Sequence, residues 1–174
     1  MAVKRIAQII CLVALALAAV ACRGAPTPTP GQAEIVAEDL GVEFRPLGED
    51  AKELPTGQPE AVGAGDEINT GDKGRGILTI ADSLWVGVFR KTHLQVKEMP
   101  AADAPPTVKL YLASGTTLQE LPRQVDQQVD VIIETDSATI RAAYTVYLVS
   151  VDDDKITSVV VFYGEAEVEA QGRT

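Results

Sequence analysis

From Glu34 to Ala170 apolar and polar residues alternate in short runs, and turn residues separate the runs. A period of two is the signature of strands, because successive side chains point to opposite faces of a sheet. Val108, Leu110 and Leu112 fall on one face, and Lys109 and Tyr111 on the other. Val129, Val131 and Ile133 alternate with Asp130 and Glu134 in the same way. Shorter strands are predicted at Ile35–Val36, Val42–Arg45, Ile77–Ala81, Leu84–Phe89 and Leu94–Val96. Gly48–Gly65, with Pro55 and Pro59, reads as loop, as does Pro100–Pro106.

The last third carries the densest β-formers. Ile140–Val151 and Ile156–Tyr163 are two β-branched and aromatic runs joined by Asp152-Asp153-Asp154-Lys155, which predicts a hairpin with a four-residue connection. Val160 and Phe162 are expected on a buried face, with Val161 on the opposite one. Gly164 is expected to end that strand, and Ala166–Ala170 to form a final short one with Val168 pointing inward. The one candidate helical turn is Leu118–Gln128, which Pro122 weakens. Many short strands at this spacing predict an all-β fold, a single sandwich or roll of antiparallel strands.

The start of the chain has a different pattern. Lys4 and Arg5 precede an apolar run from Ile6 to Ala21, broken by Gln8, that ends Ala-Val-Ala-Cys at Cys22. This is the layout of an export signal, and the run is short for a membrane-spanning helix. Small residues before Cys22 resemble a lipobox, which implies diacylation of the Cys22 thiol and cleavage before it. An uncleaved helical anchor and an ordinary secretory signal are the alternatives. Each of the three places the remaining chain outside the cytoplasm. The leading expectation is a cell-membrane lipoprotein facing the periplasm or the cell exterior.

The sequence therefore divides into a signal at 1–21, a lipidated cysteine with a Pro/Thr-rich linker at 22–33, a β domain at 34–170 and a tail at 171–174. The linker alternates proline and threonine from Pro26 to Pro30, which favours an extended polyproline-like spacer.

Of the 174 residues, 46% are hydrophobic, and the formal charge is −10. Without Lys4 and Arg5 the balance is thirteen basic against twenty-five acidic residues, a net of −12. Such a surface repels phosphate backbones and anionic headgroups, so nucleic acid is not an expected partner and membrane contact falls to the anchor at Cys22. Of the two cysteines, Cys11 lies inside the apolar signal run and Cys22 at its end, so none falls in the β domain.

The candidate chemistry is sparse. His93 is the sole histidine, stands at a strand start and has no motif around it. Asp152, Asp153 and Asp154 are weak cation candidates, because three consecutive carboxylates point apart and lack the spaced oxygen ligands calcium requires. Trp85, Phe89, Tyr111, Tyr144, Tyr147 and Tyr163 are read mainly as core residues, with a sugar- or peptide-binding platform as the alternative. No catalytic residue, structural metal or cofactor is expected, and the binding residues are left open.

Gly65-Asp66, Ile68, Thr70-Gly71, Gly76, Leu78, Ile80 and the Asp82-Ser83 turn form a pattern that resembles the start of the FecR domain. Glu134–Arg141 resembles the family's second block, and Val159–Val168, with Gly164, its terminal hairpin. The likeness spans about residues 34–170. The family often has Arg-Gly-Thr where this chain has Arg141-Ala142-Ala143. The resemblance implies an all-β extracytoplasmic domain in which Gly65, Asp66, Thr70, Gly71, Asp82 and Gly164 hold turns and do no chemistry on a substrate. Five residues ahead of the apolar run leave no room for a sigma-factor-binding region, so the implied transcriptional role is not expected. The expected function is a non-catalytic, membrane-tethered FecR-like domain that binds an envelope protein, a glycan or the cell wall. The alternative is a sensory subunit that works through a separate transmembrane partner.

Overall fold

A computed structural model describes residues 33–81, 84–100, 107–121 and 130–170. The export segment, nearly all of the linker, the Asp82-Ser83 turn, most of the 100–106 loop, Val129, most of the candidate helical turn and the tail lie outside the described residues. The described residues contain strands and no helix.

Twelve strands form one curled sheet. They are β1 (Ala33–Ala37), β2 (Val42–Arg45), β3 (Lys52–Glu53), β4 (Pro59–Val62), β5 (Glu67–Thr70) and β6 (Gly76–Ile80). There follow β7 (Leu84–Val88), β8 (His93–Glu98), β9 (Thr107–Glu120), β10 (Asp130–Glu134), β11 (Ala138–Val151) and β12 (Thr157–Ala170). The all-β fold expected from the alternation is therefore the observed one.

The pleat supplies the core. Val108, Leu110 and Leu112 are buried, as their spacing predicts, and so are Leu78 and Ile80 of β6, Val86 and Val88 of β7, and Leu94 and Val96 of β8. Removing these aliphatic side chains from water is worth roughly 1.5–3 kcal/mol each.

β9 organises the topology. Its first half pairs with β8 and, in parallel, with β10, while its second half pairs with β7 and β11. The sheet thus forks at β9. One branch runs β8-β5-β2-β3 and the other β7-β6-β1-β4. Their outer ends meet where Ala37 bridges Thr56 and the Gly57 amide donates to the Ala37 carbonyl at 2.8 Å. The right-handed twist of the strands curls the sheet into a half-barrel, so both branches bury their apolar faces in one core.

Three departures from the sequence reading have physical causes. Strands β3 and β4 fall inside the segment read as loop, and β5 arises from Glu-Ile-Asn-Thr, which holds one aliphatic residue. Their pairing is set by neighbouring strands and not by composition. Leu118–Glu120, assigned to the helical turn, completes β9.

β12 is one continuous strand of 14 residues, not two short ones, and five residues separate it from β11. Gly164 adopts φ +85°, opposite Tyr144 at φ +52°, and the register shifts there. The glycine makes a paired irregularity that the ladder passes through.

Burial on β12 corrects the expected register. Val161 pairs with the fully buried Tyr147, and Val159 with the buried Val149. Directly opposed residues share a face, so Val159 and Val161 lie on the core side and Val160 on the other. Phe162, expected in the core, is 63% exposed, and Val168, expected to point inward, is 50% exposed. Both lie on a strand with one neighbour, so nothing among the described residues covers them. Among the six aromatics read mainly as core residues, Tyr147 is fully buried, whereas Trp85 and Tyr163 are exposed.

Candidate functional site: an exposed apolar edge strand

The motif shared with the FecR resemblance forms the joints between strands. Asp66 is nearly buried, and its carboxylate accepts the Leu47 amide at 2.8 Å and the Gly63 amide at 2.7 Å. Gly65 beside it holds φ +95°. The Thr70 hydroxyl donates to the Phe89 carbonyl at 2.5 Å and accepts the Thr92 amide at 2.9 Å. The Thr92 hydroxyl in turn donates to the Thr116 carbonyl at 3.1 Å and accepts the Thr116 amide at 2.9 Å. Three threonines thus bind β5, the 89–92 turn and β9 into one chain of hydrogen bonds. The Gly71 amide donates to the Gly41 carbonyl at 2.8 Å. Every one of these polar groups is committed to backbone, which leaves none aimed at a ligand. Asp82 lies outside the described residues, and Gly164 is the β12 irregularity.

The polar residues singled out for chemistry are dispersed. His93 Nε2 lies 3.6 Å from Glu67 Oε2, and Arg45 takes the same oxygen at 3.2 Å. The three sit in a half-exposed surface ion-pair group, a setting that contributes little energy. Asp152 Oδ1 accepts the Ile156 amide at 2.8 Å, and the Lys155 amide donates to the Asp152 carbonyl, so Asp152 holds the hairpin turn. Asp153 and Asp154 are exposed beside it. Among the described residues no three His, Cys, Asp or Glu side chains gather into a possible metal site.

Besides a groove of about 500 Å³ lined by Arg90, Lys91, Asp152 and Asp153, two open grooves mix both charge signs. One, of about 480 Å³, crosses β10, β11 and β12 and is lined by Asp130, Ile132, Arg141, Ala143, Glu165 and Glu167. The other, of about 720 Å³, lies between Asp39, Asp72, Lys73, Arg75 and Arg90. In it Asp39 is tied to Arg75 at 2.7 Å and Asp72 to Lys91 at 3.3 Å.

The feature that departs most from an ordinary surface is β12 itself. Among the described residues β12 pairs with no strand but β11, so along its other edge no described strand meets its backbone donors and acceptors. From Thr157 to Gly164 it carries no charge and no proline. Val160, Val161, Phe162 and Tyr163 are all exposed, and Ile156 and Val168 extend the patch at either end. Folded proteins ordinarily blunt such an edge with Lys, Pro, brevity or a β-bulge, and of these β12 has only the irregularities of its ladder with β11 around Phe162 and Gly164. The two outer ends of the fork are blunted by brevity and proline: β3 has 2 residues, and β4 has 4 and begins at Pro59.

Sequence reasoning named these residues and placed Val160, Phe162 and Val168 inward, with Tyr163 read mainly as core and Val161 on the opposite face. The unbroken apolar run Val159–Tyr163, apolar on both faces, fits a strand buried on both sides and equally a strand awaiting a partner. The signal that separates the two is the acidic alternation of Glu165, Glu167 and Glu169 on the same strand, which a doubly buried strand would not carry. Compared with family models, curated proteins and solved structures, the chain gives no match to any of the three.

Proposed function

We propose that this chain is a membrane-tethered, extracytoplasmic FecR-like domain without catalytic activity, held by lipid at Cys22, that binds an envelope partner through the free edge of β12. The observation that carries the reading is the length and apolarity of that edge. Fourteen residues of strand with one neighbour and a charge-free half are a template for strand addition. Backbone pairing is satisfied by another polypeptide, so of the envelope's components a protein suits this edge better than a glycan. The FecR-like reading rests on the sequence motif, whose Asp66, Thr70 and Gly71 bond backbone groups at strand joints.

Two experiments test the proposal. Cys22→Ser should release the protein from membranes on fractionation; a variant that stays bound and is processed normally overturns the tether. A photo-crosslinking residue in place of Phe162, expressed in the full chain in living cells, should form an adduct with an envelope protein. The absence of any adduct there, with adducts at a position elsewhere on the surface, overturns β12 as the binding edge.

A further inference from the structure

We infer that Gly87 floors a shallow bay on the outer face of the sheet, which seats one pyranose ring of a neutral glycan. The bay lies on β7, apart from the edge of β12, and stands whether or not that edge binds a partner.

Four glycines lie within the described strands, and the fold accounts for three of them. A Cβ on Gly76 would stand 3.1 Å from the Val36 carbonyl, one on Gly115 would run into the Thr92 backbone, and one on Gly164 would stand 2.7 Å from the Tyr144 carbonyl. Gly115 and Gly164 also hold positive φ. Gly87 has neither reason. Its φ is not among the positive ones, and a Cβ there would meet nothing closer than the Leu118 Cβ at 3.7 Å. Glycine inside a strand weakens it, so a strand glycine that the fold does not require points to a group approaching the backbone from outside.

Apolar walls stand on four sides of this floor. Trp85 and Phe89 lie two positions away along the chain, one on each side, and so share the face of Gly87. Ile77 of β6 and Leu118 of β9 are directly opposite Gly87 on the two neighbouring strands. The Phe89 ring comes within 3.8 Å of the place a Cβ would take. Val86 and Val88, which alternate with these residues, are buried, so the bay faces away from the core. Thr79 and Glu120 supply a polar rim, each directly opposite Trp85 on its own strand.

Openness selects the ligand. Trp85 is 53% exposed and Ile77 is exposed beside it, so an alkyl chain or aliphatic side chain seated here would keep most of its surface wet. A pyranose needs apolar cover on one face only. Its C–H face lies on an aromatic ring, and its hydroxyls stay in water or reach Thr79 and Glu120. The strands flanking β7 are roughly 10 Å apart, which admits one six-membered ring. The chain carries a formal charge of −10, and the exposed Glu120 stands on the rim, so acidic sugars and phosphate polymers are repelled.

Trp85 is the sole tryptophan, so its emission reports on the bay directly. The full chain in phosphatidylcholine vesicles is titrated into the millimolar range with two neutral oligomers, chitotetraose and cellotetraose, and with an acidic oligogalacturonate. At least one neutral oligomer should shift the emission to shorter wavelength and saturate, and the acidic one should not. Trp85→Ala, followed by calorimetry, should weaken binding about tenfold or more. Gly87→Val should abolish the shift by filling the bay. Gly87→Ala should melt no lower than the native chain, an outcome that a glycine required by the fold would not allow. No shift with either neutral oligomer, an equal shift with the acidic one, native binding by Gly87→Val, or a lower melting temperature for Gly87→Ala overturns the inference. Emission already shifted in the vesicles, quenched by bromine on the lipid chains and indifferent to sugar, gives the bay to the bilayer and overturns it as well.

Discussion

A Cβ placed on Gly164 would stand 2.7 Å from the carbonyl oxygen of Tyr144 and 2.9 Å from the Thr145 hydroxyl. The two strands of the C-terminal hairpin pass this point with positive φ on both sides, +85° at Gly164 and +52° at Tyr144. Backbone conformation and space each call for glycine.

Gly164→Ala should therefore destabilise the domain, by on the order of 1–3 kcal/mol for the left-handed backbone, with the close contact adding to it. Tyr144→Gly should cost far less, because it relieves the same conformation on the facing strand. Urea denaturation of the two variants checks this, and an alanine at 164 that melts like the native chain refutes the strained geometry.

Thr92 is the middle link of the threonine chain and is 2% exposed. Thr92→Val keeps the shape and removes the hydroxyl, which takes the Thr92 partner from the part-buried Thr116 amide, while the Thr116 carbonyl keeps the Phe89 amide at 3.1 Å. The expected loss is roughly 1–3 kcal/mol, and Thr92→Ser should restore most of it. A valine variant as stable as the native chain would show that the hydrogen bonds to Thr116 contribute nothing net.

Tyr147 is fully buried, and its hydroxyl finds no hydrogen-bond partner among the described residues. Burial pushes its ionisation well above the ordinary phenol range. The unfolded chain releases this proton near pH 10 while the folded chain keeps it. The folded state then binds more protons, so stability falls as pH rises above about 10, by up to 1.36 kcal/mol per pH unit. Tyr147→Phe should flatten that alkaline loss and be neutral or mildly stabilising at pH 7, since it removes a polar atom from the core. Tyr111 shifts in the same direction through its 2.5 Å hydrogen bond to Asp136, but it lies nearer the surface. Tyrosinate absorbance against pH should show one late-titrating phenol fewer in the variant. An unchanged titration curve would place Tyr147 in contact with water.

Phe162→Ala should leave folding stability within about 0.5 kcal/mol, because the ring is mostly in solvent. The same substitution at Phe44, 1% exposed in the core, should cost about 3–5 kcal/mol. Comparable losses at the two sites would return Phe162 to the core.

That contrast marks where the sequence is readable. Val108, Leu110 and Leu112 alternate with polar neighbours, so period and face are both legible, and the structure buries all three. Val159–Tyr163 has no polar residue to mark a face, so its burial is decided by which strands stand beside it, a property of the whole chain. β5 was hidden for the opposite reason: Glu67 and Asn69 are weak β-formers in a strand of four, and the strand exists because β2 and β8 supply ladders on both edges. The turn chemistry of Asp66, Thr70 and Gly71 was legible as structural. The edge site was legible only in part: Glu165, Glu167 and Glu169 mark β12 as a strand not buried on both sides, but which strands stand beside it is a property of the whole chain.

The unequal pairing of the first and last strands has a mechanical consequence. β1 is paired on both edges, to β4 and β6, whereas β12 is paired on one. Tension entering at Ala33 must break two ladders before the chain yields. Tension entering at Ala170 has one to peel. Pulled between an anchored membrane and a strand gripping β12, the domain would surrender its C-terminal strand first and keep its attachment end folded.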